Sequence, residues 1–448
     1  MQDRGSRNSQ DSRTRRRLRV LLTPGIGLKR WLALAIFGAA LLLLGIALGL
    51  GSVTDLSLDL TDRAIGYGRT LTFAHVLPVL WRSVLFGSLG ALVFAVGAFE
   101  VYRTLLSGAT YARRGDGLIE NLSARRVRRR GPRIVAIGGG TGLSTLLRGL
   151  KHHTENLTAI VTVADDGGSS GRLREELGIS PPGDARQCLI ALSDSEPELE
   201  QAMSYRFDRG GDLQGHSMGN LLLAALAHDG DLHEALQAAA RLLALKGKVV
   251  PSTRAADIVL KAETEAGGIL TGESAISSAH EPIVHLWVEP RDAVPNSAAL
   301  DAINAADAII IGPGSLYTSI LPNFLIRGIS QAVEASLGAK IFVCNIATQE
   351  GETDGFNAAD HLRVYESQAG VRITHLLANA SPQPIAPEYR QDPILPDEPQ
   401  GFGGEFVVRD IVDAQRPSRH DPGKLALALL PILRAGAARR GARPALRP

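Results

Sequence analysis

Residues 133–151 read RIVAIGGGTGLSTLLRGLK. The stretch Arg133–Ile137 is a short apolar run with the look of a buried strand. Gly138, Gly139, Gly140, Thr141 and Gly142 follow at once, and Leu143–Lys151 then has helical spacing. Residues 158–163 (TAIVTV) are a second apolar run. Two buried strands joined by one helix form a βαβ unit, and that unit requires a parallel sheet. Two more runs of the same kind, Ala308–Ile311 and Lys340–Cys344, extend the pattern. Apolar spacing near 3.6 predicts helices over Leu221–His228, Leu232–Leu245 and Phe324–Leu337. Residues 249–277 carry strand-like runs broken by Gly267, Gly268 and Gly272, which predicts a β-rich excursion. The fold class expected is α/β.

Each strand ends in a loop with chemistry in it. Amides of a glycine loop between strand and helix can approach a phosphate at the helix N-terminus. Gly140 and Gly142 supply G-x-G, but Thr145 stands where a dinucleotide fingerprint has its last small residue, and no Gly-Lys-Ser/Thr follows. The loop alone therefore reads as a phosphate site or as a tight turn. The second loop, ADDGGSSGR over 164–172, places Asp165 and Asp166 at a strand end. Asp165 is positioned to meet a ribose hydroxyl. Ser169, Ser170 and Arg172 fit an anion nest or an ordinary Asp-Gly turn. The third loop carries Gly312, Gly314 and Ser315. Three such loops suggest one crevice for a phosphorylated ligand. His216 and Asn220 are four apart, which fits capping and packing better than a metal pair. Asp184 is placed near a helix N-cap, with Asp184 and Arg186 as alternative site residues.

The chain has 448 residues, 45% hydrophobic and 21% charged, which excludes a disordered protein. Cys188 and Cys344 are the only cysteines, so a disulfide scaffold and a four-cysteine zinc site are excluded. Both are read as core residues. The net charge of +2 conceals an uneven distribution. Residues 1–30 hold nine Lys/Arg, the 54–75 loop holds two, and residues 102–133 hold nine. Between them lie two apolar stretches, Trp31–Val53 and Val76–Phe99, each long enough to cross a bilayer. This asymmetry predicts a transmembrane helical hairpin with both ends in the cytoplasm. The arginine runs beside these spans are read as lipid-facing, with no nucleic-acid partner expected. The expected organisation is a basic tail (1–30), a hairpin (31–101), a basic linker (102–132), an α/β domain (133–435) and a basic tail (436–448).

Residues 137–151, 158–194, 215–226 (GHSMGNLLLAAL), 312–326 (GPGSLYTSILPNFLI) and 344–362 (CNIATQEGETDGFNAADHL) together resemble the YvcK-type gluconeogenesis factors of the CofD-like group. The resemblance implies a Rossmann-like, mainly parallel sheet with helices on both faces. It further implies binding of UDP-sugars, notably UDP-N-acetylglucosamine, and a role in cell shape and envelope growth on gluconeogenic carbon sources. A cell-envelope regulatory protein partner and a homo-oligomer are expected with it. The related CofD branch implies the alternative, a nucleotide-dependent phospholactyl-type transferase in which Mg²⁺ would be held by the acidic loop. Matching positions place ligand contacts at Gly138–Gly142, Asp165 and Asp166, and at Tyr389 and Arg419 near the C-terminus. The membrane hairpin is a departure from many relatives.

Overall fold

The structure is a computed structural model, and it describes residues 28–51, 78–109, 127–194, 197–227 and 230–441. The chain divides after Val127 into two units.

The first unit is a pair of helices, α1 (Leu28–Gly51) and α2 (Val79–Ala109). Small residues set their contact. A Cβ added at Gly38 would lie 2.3 Å from the Phe94 backbone, and one at Gly90 would lie 2.3 Å from the Leu42 backbone. Gly45 and Gly97 repeat this one heptad further along each helix, at 2.4 and 2.7 Å from Gly87 and Ala35. Backbone-to-backbone approach of this kind is how helices pack where lipid removes the hydrophobic drive. The outer surfaces remain apolar, with Leu32, Phe37, Leu43, Trp81, Leu92 and Phe99 exposed. Both helices are long and apolar enough to cross a membrane. The second helix continues well past Phe99, so the start of the expected linker is helical. The loop between the spans, the N-terminal tail and linker residues 110–126 lie outside the described residues.

The second unit is built on a seven-stranded sheet. In chain order its main elements are β1 (Ile134–Gly138), α3 (Gly140–Leu150), β2 (Leu157–Val161), α4 (Gly168–Leu177) and α5 (Gly183–Leu192). Next come α6 (Met218–Leu226), α7 (Leu232–Leu242), β3 (Lys248–Pro251), β4 (Val259–Thr264) and β5 (Ile269–Thr271). Then follow α8 (Glu273–Ser278), β6 (Ile283–Glu289), α9 (Ser297–Ala305), β7 (Ala308–Ile311) and α10 (Arg327–Ala335). The last are β8 (Ala339–Val343), α11 (Ala358–Ala369), β9 (His375–Asn379), β10 (Glu405–Arg409), β11 (Val412–Asp413), β12 (Arg416–His420) and α12 (Pro422–Gly441).

The sheet order is β10-β9-β8-β7-β1-β2-β3, and every pairing is parallel. β1 and β7 are buried along their whole length, which is why they read as unbroken apolar runs rather than alternating ones. Helices cover the sheet: α3 lies against β1, α5 against β2 and β3, and α12 against β7 and β8. The excursion exists, but it begins at Val259 rather than at residue 249. Val249 and Val250 belong to β3 of the main sheet, and the three-stranded antiparallel sheet is β5-β4-β6. The helix expected over Phe324–Leu337 is interrupted at Ile326, whose ψ of 97° leaves the helical region and separates a short turn from α10. The expected tail from residue 436 is helical as far as Gly441. His228, at the end of another expected helix, lies outside the described residues.

This order fixes where a ligand can sit. From β1 the chain moves outward through β2 and β3, then returns to place β7, β8, β9 and β10 on the other side of β1. The direction reverses between β1 and β7, which pair from Ile134↔Ala308 to Ile137↔Ile311. The loops leaving those two strands must part there, and the crevice between them is where open α/β sheets bind ligands.

Candidate functional site

The two loops at the switch point are the first and third glycine loops. Helix α3 starts earlier than its apolar pattern suggests, at Gly140, so Thr141 and Gly142 belong to its first turn. Its N-cap, Gly139, has no side chain to satisfy the first amides, and no acidic residue occupies the first turn. Gly140 has φ +61°, a left-handed conformation that favours glycine. Free amides and the positive end of the helix dipole thus face the crevice. One of them is taken: the Gly140 amide donates to Asp184.

The third loop is clamped from below. The Gly314 amide donates to Asn345 Oδ1 at 3.1 Å, and Asn345 Nδ2 donates to the Gly314 carbonyl at 2.8 Å. Ser315 Oγ donates to Glu352 and accepts from the Thr318 amide at 3.2 Å. Glu352 is buried and also accepts from Ser277 Oγ at 3.0 Å and Gln349 Nε2 at 2.9 Å. Burial holds its carboxyl above the usual range. The two loops touch at Gly142, where an added Cβ would lie 2.4 Å from the Pro313 carbonyl oxygen.

Above them opens a cleft of about 830 Å³. Thr141, Gly142, Gly314 and Ser315 line it, together with Asn345, Thr348 and Gln349. Its wall also carries Tyr389, from the loop after β9, and Arg419 and His420 from β12. His420 Nε2 lies 3.1 Å from the Cys344 carbonyl, and burial lowers its pKa to about 4, so the wall carries a neutral ring there. Residues far apart in sequence are therefore brought to one cavity, and Tyr389 and Arg419 are among them.

The second loop is placed differently. Asp165 Oδ1 caps its own turn by accepting from the Gly167 amide at 2.9 Å. Asp166 turns away from the cleft. Its Oδ1 accepts from the amide and hydroxyl of Ser274, at 2.9 and 2.8 Å, and so caps α8. Ser169 Oγ lies 3.0 Å from His216 Nδ1 and accepts from Asn220 Nδ2 at 3.0 Å, all three residues being buried. Ser170 is buried against Gly183, and Arg172 Nη2 donates to the Gln214 carbonyl at 2.5 Å. None of Asp165, Asp166, Ser169, Ser170, Arg172 and Asn220 lines the cleft. The physical reason is that α4 begins at Gly168, directly after the loop, and its first turn packs against α6. Asp166→Ala should accordingly lower stability by ~1 kcal/mol in urea unfolding, as loss of a helix cap does. Ligand affinity measured by calorimetry should stay within about twofold, because no cleft contact is lost.

An acidic group lies behind the glycine loop. Asp184 touches the loop so closely that a Cβ on Gly139 would lie 2.0 Å from its Oδ2. Burial, and then the nearby Asp165 charge, raise the Asp184 pKa to about 7. Burial with the charges of Asp165 and Asp184 raises that of Glu273 to about 9. Asp184 was legible as a candidate from PPGDAR, whereas Glu273 carried no signal. Among the described residues no group of three or more His, Cys, Asp or Glu is arranged to hold a metal ion. Cys188 and Cys344 are buried, as their apolar surroundings suggest.

Residues 134–400 match the family model described as 2-phospho-L-lactate transferase CofD. The chain is 42% identical over 446 residues to a putative gluconeogenesis factor of Nostoc sp., covering 94% of this chain and 95% of the relative. It is 45% identical over 313 residues to the gluconeogenesis factor of Bacillus subtilis, covering 68% of this chain and 98% of that one. A crystal structure of a UPF0052 family protein from Bacillus halodurans superposes with a TM-score of 0.63 at 44% identity, over 67% of this chain and 99% of the other.

Proposed function

The chain belongs to the CofD/UPF0052 family, and from that premise we propose that it is a membrane-anchored regulator that binds a nucleotide sugar of the UDP-N-acetylglucosamine kind and acts in cell-envelope growth under gluconeogenic conditions. The observation that carries this reading is the convergence of Thr141, Gly142, Gly314, Ser315, Tyr389 and Arg419 on one cleft at the switch point. Uncapped amides at the start of α3 suit a diphosphate. Arg419 adds a fork-shaped cation, and the exposed Tyr389 ring offers a face for a base or sugar. Names of the relatives support the gluconeogenic setting. Titration of the full-length protein with UDP-N-acetylglucosamine should give saturable binding, and the ligand should be recovered unchanged. No heat and no saturation would overturn the reading.

One observation favours the second reading, a transferase of the CofD type. The family model carries that description, and Asp165, Asp184 and Glu273 repel one another behind the glycine loop. Mg²⁺ commonly binds through one or two carboxylates together with ligand phosphates, so Asp165 and Asp184 would be its protein ligands. When bound it would neutralise charge on a donor diphosphate. Product formation from a labelled nucleotide-linked donor would favour this reading over the regulator.

Anchoring is supported by the apolar outer faces of α1 and α2 and by the nine, two, nine distribution of Lys/Arg around them. The extended match to the Nostoc relative supports a shared N-terminal unit. Reporters fused at residue 65 and at the C-terminus should report opposite sides of the membrane. Same-side signals would exclude the hairpin.

A further inference from the structure

A second cavity, of about 530 Å³, opens beside the first turns of α3. Arg148 enters it from α3, Arg186 from α5, and Arg416 and Arg419 from β12. No carboxylate belongs to its lining. Two of the four arginines have partners at the surface: Arg148 with Glu200 at 2.5 Å and Arg416 with Asp413 at 3.0 Å. Among the described residues, neither Arg186 nor Arg419 is paired with a carboxylate at ion-pair distance.

Arg186 is the telling residue. Its Nε is buried and has no hydrogen-bond partner. Its stem is fixed against Gly219, where an added Cβ would lie 2.7 Å from Arg186 Cδ. Burial and the charge of Arg206 both disfavour the guanidinium, and the charge of Asp184 only partly offsets them. A buried charged donor without an acceptor is unfavourable unless something supplies one. The chemical complement of several convergent guanidinium groups is an oxyanion.

We propose that this cavity is an oxyanion subsite, distinct from the nucleotide cleft, that receives a phosphate or carboxylate group. It shares Thr141, Thr145, Arg416, Arg419 and His420 with the cleft, so the two compartments communicate. The oxyanion could come from the far end of a ligand whose diphosphate lies in the cleft, or from a separate phosphorylated molecule. The chemistry is the same for both, and the subsite itself does not depend on the nucleotide-sugar reading.

The test uses the full-length protein in detergent micelles and inorganic phosphate as the probe. Thermal unfolding is followed against phosphate concentration at constant ionic strength, with chloride as the control. Phosphate should stabilise saturably where chloride does not. Half-saturation should move to at least about tenfold higher phosphate in Arg186→Gln, the scale expected for one charged hydrogen-bonding group. Arg148→Gln, at a side chain already partly exposed, guards against misfolding of the first variant and should show the same direction. Equal stabilisation by phosphate and chloride would overturn the proposal, as would unchanged half-saturation in both variants. UDP-N-acetylglucosamine affinity should remain within about twofold in Arg148→Gln. An equal loss of both ligands would merge the cavity with the cleft and also overturn it. Where the parent binds both together, the phosphate comes from a separate molecule. Where a nucleotide sugar bearing a carboxylate displaces phosphate and UDP-N-acetylglucosamine does not, the ligand's own group fills the subsite. If the parent binds no UDP-N-acetylglucosamine at all, the proposed function fails while the phosphate series still decides the subsite.

Discussion

Gly142→Ala should weaken nucleotide-sugar binding at least about tenfold and lower the stability of the protein. The added Cβ would lie 2.4 Å from the Pro313 oxygen, 2.6 Å from its carbonyl carbon and 2.9 Å from the Gly314 amide nitrogen. Those atoms are backbone, so no rotamer change relieves the contact. Asn345 grips Gly314 through both of its backbone groups, and Ser315 is tied to Glu352, so the third loop is poorly able to retreat. The strain must separate the loops at the point where the crevice forms. Overpacking of this kind costs ~1–3 kcal/mol, to be read from urea unfolding. Binding should fall at least about tenfold, since the amides of one loop and Ser315 of the other can no longer face the same ligand. Gly140→Ala makes an instructive contrast. A Cβ there has its nearest neighbours at 3.8 Å, so the cost comes only from the positive φ, at ~1–2 kcal/mol. A Gly142→Ala protein with the parent's affinity would show that the loops act independently.

The strands and the two switch-point loops were legible because their signals are local. IVAI and AIII are buried on both sides and need no partner to be recognised, and a glycine run directly after each strand marks a loop that must turn sharply. The strand order was not legible, since β1 pairs with β7 across 174 positions and no local pattern encodes such a pairing. The placement of the second loop was not legible for the same reason. Asp-Asp-Gly-Gly-Ser-Ser serves equally as a ligand loop or as an Asx turn leading into a helix. The residue that decides the direction of Asp166 is Ser274, 108 positions away. Tyr389 and Arg419 are exposed and belong to no periodic segment, so only the family resemblance could select them. Glu352 lay within a quoted motif, yet its role depends on Ser277, Ser315 and Thr318 meeting around it.

Asp184→Asn should stabilise the protein at pH 8 in EDTA, and the gain should shrink as the pH falls toward 4. The carboxyl has a pKa of about 7 in the folded protein against an ordinary 3.8, because burial and then Asp165 disfavour its charge. Between those values the folded state retains a proton that the unfolded state has lost. Stability therefore falls with rising pH across this window, and the penalty is complete above the folded pKa. Asparagine has the same shape and can still accept from the Gly140 amide, but it carries no charge at any of these pH values. The repulsion is shared with Asp165 and Glu273, so the expected gain is ~2 kcal/mol at pH 8, below what an isolated group would give. Thermal melts of both proteins at intervals from pH 4 to pH 8 would read it. A difference that does not change with pH would mean that Asp184 titrates as an ordinary surface carboxylate. The same pair also bears on the transferase reading. A divalent cation held by Asp165 and Asp184 would relieve that repulsion, so Mg²⁺ at pH 8 should raise the melting temperature of the parent and leave Asp184→Asn unmoved. Equal Mg²⁺ effects on both proteins would place the cation elsewhere and remove the structural support for a metal-assisted transfer.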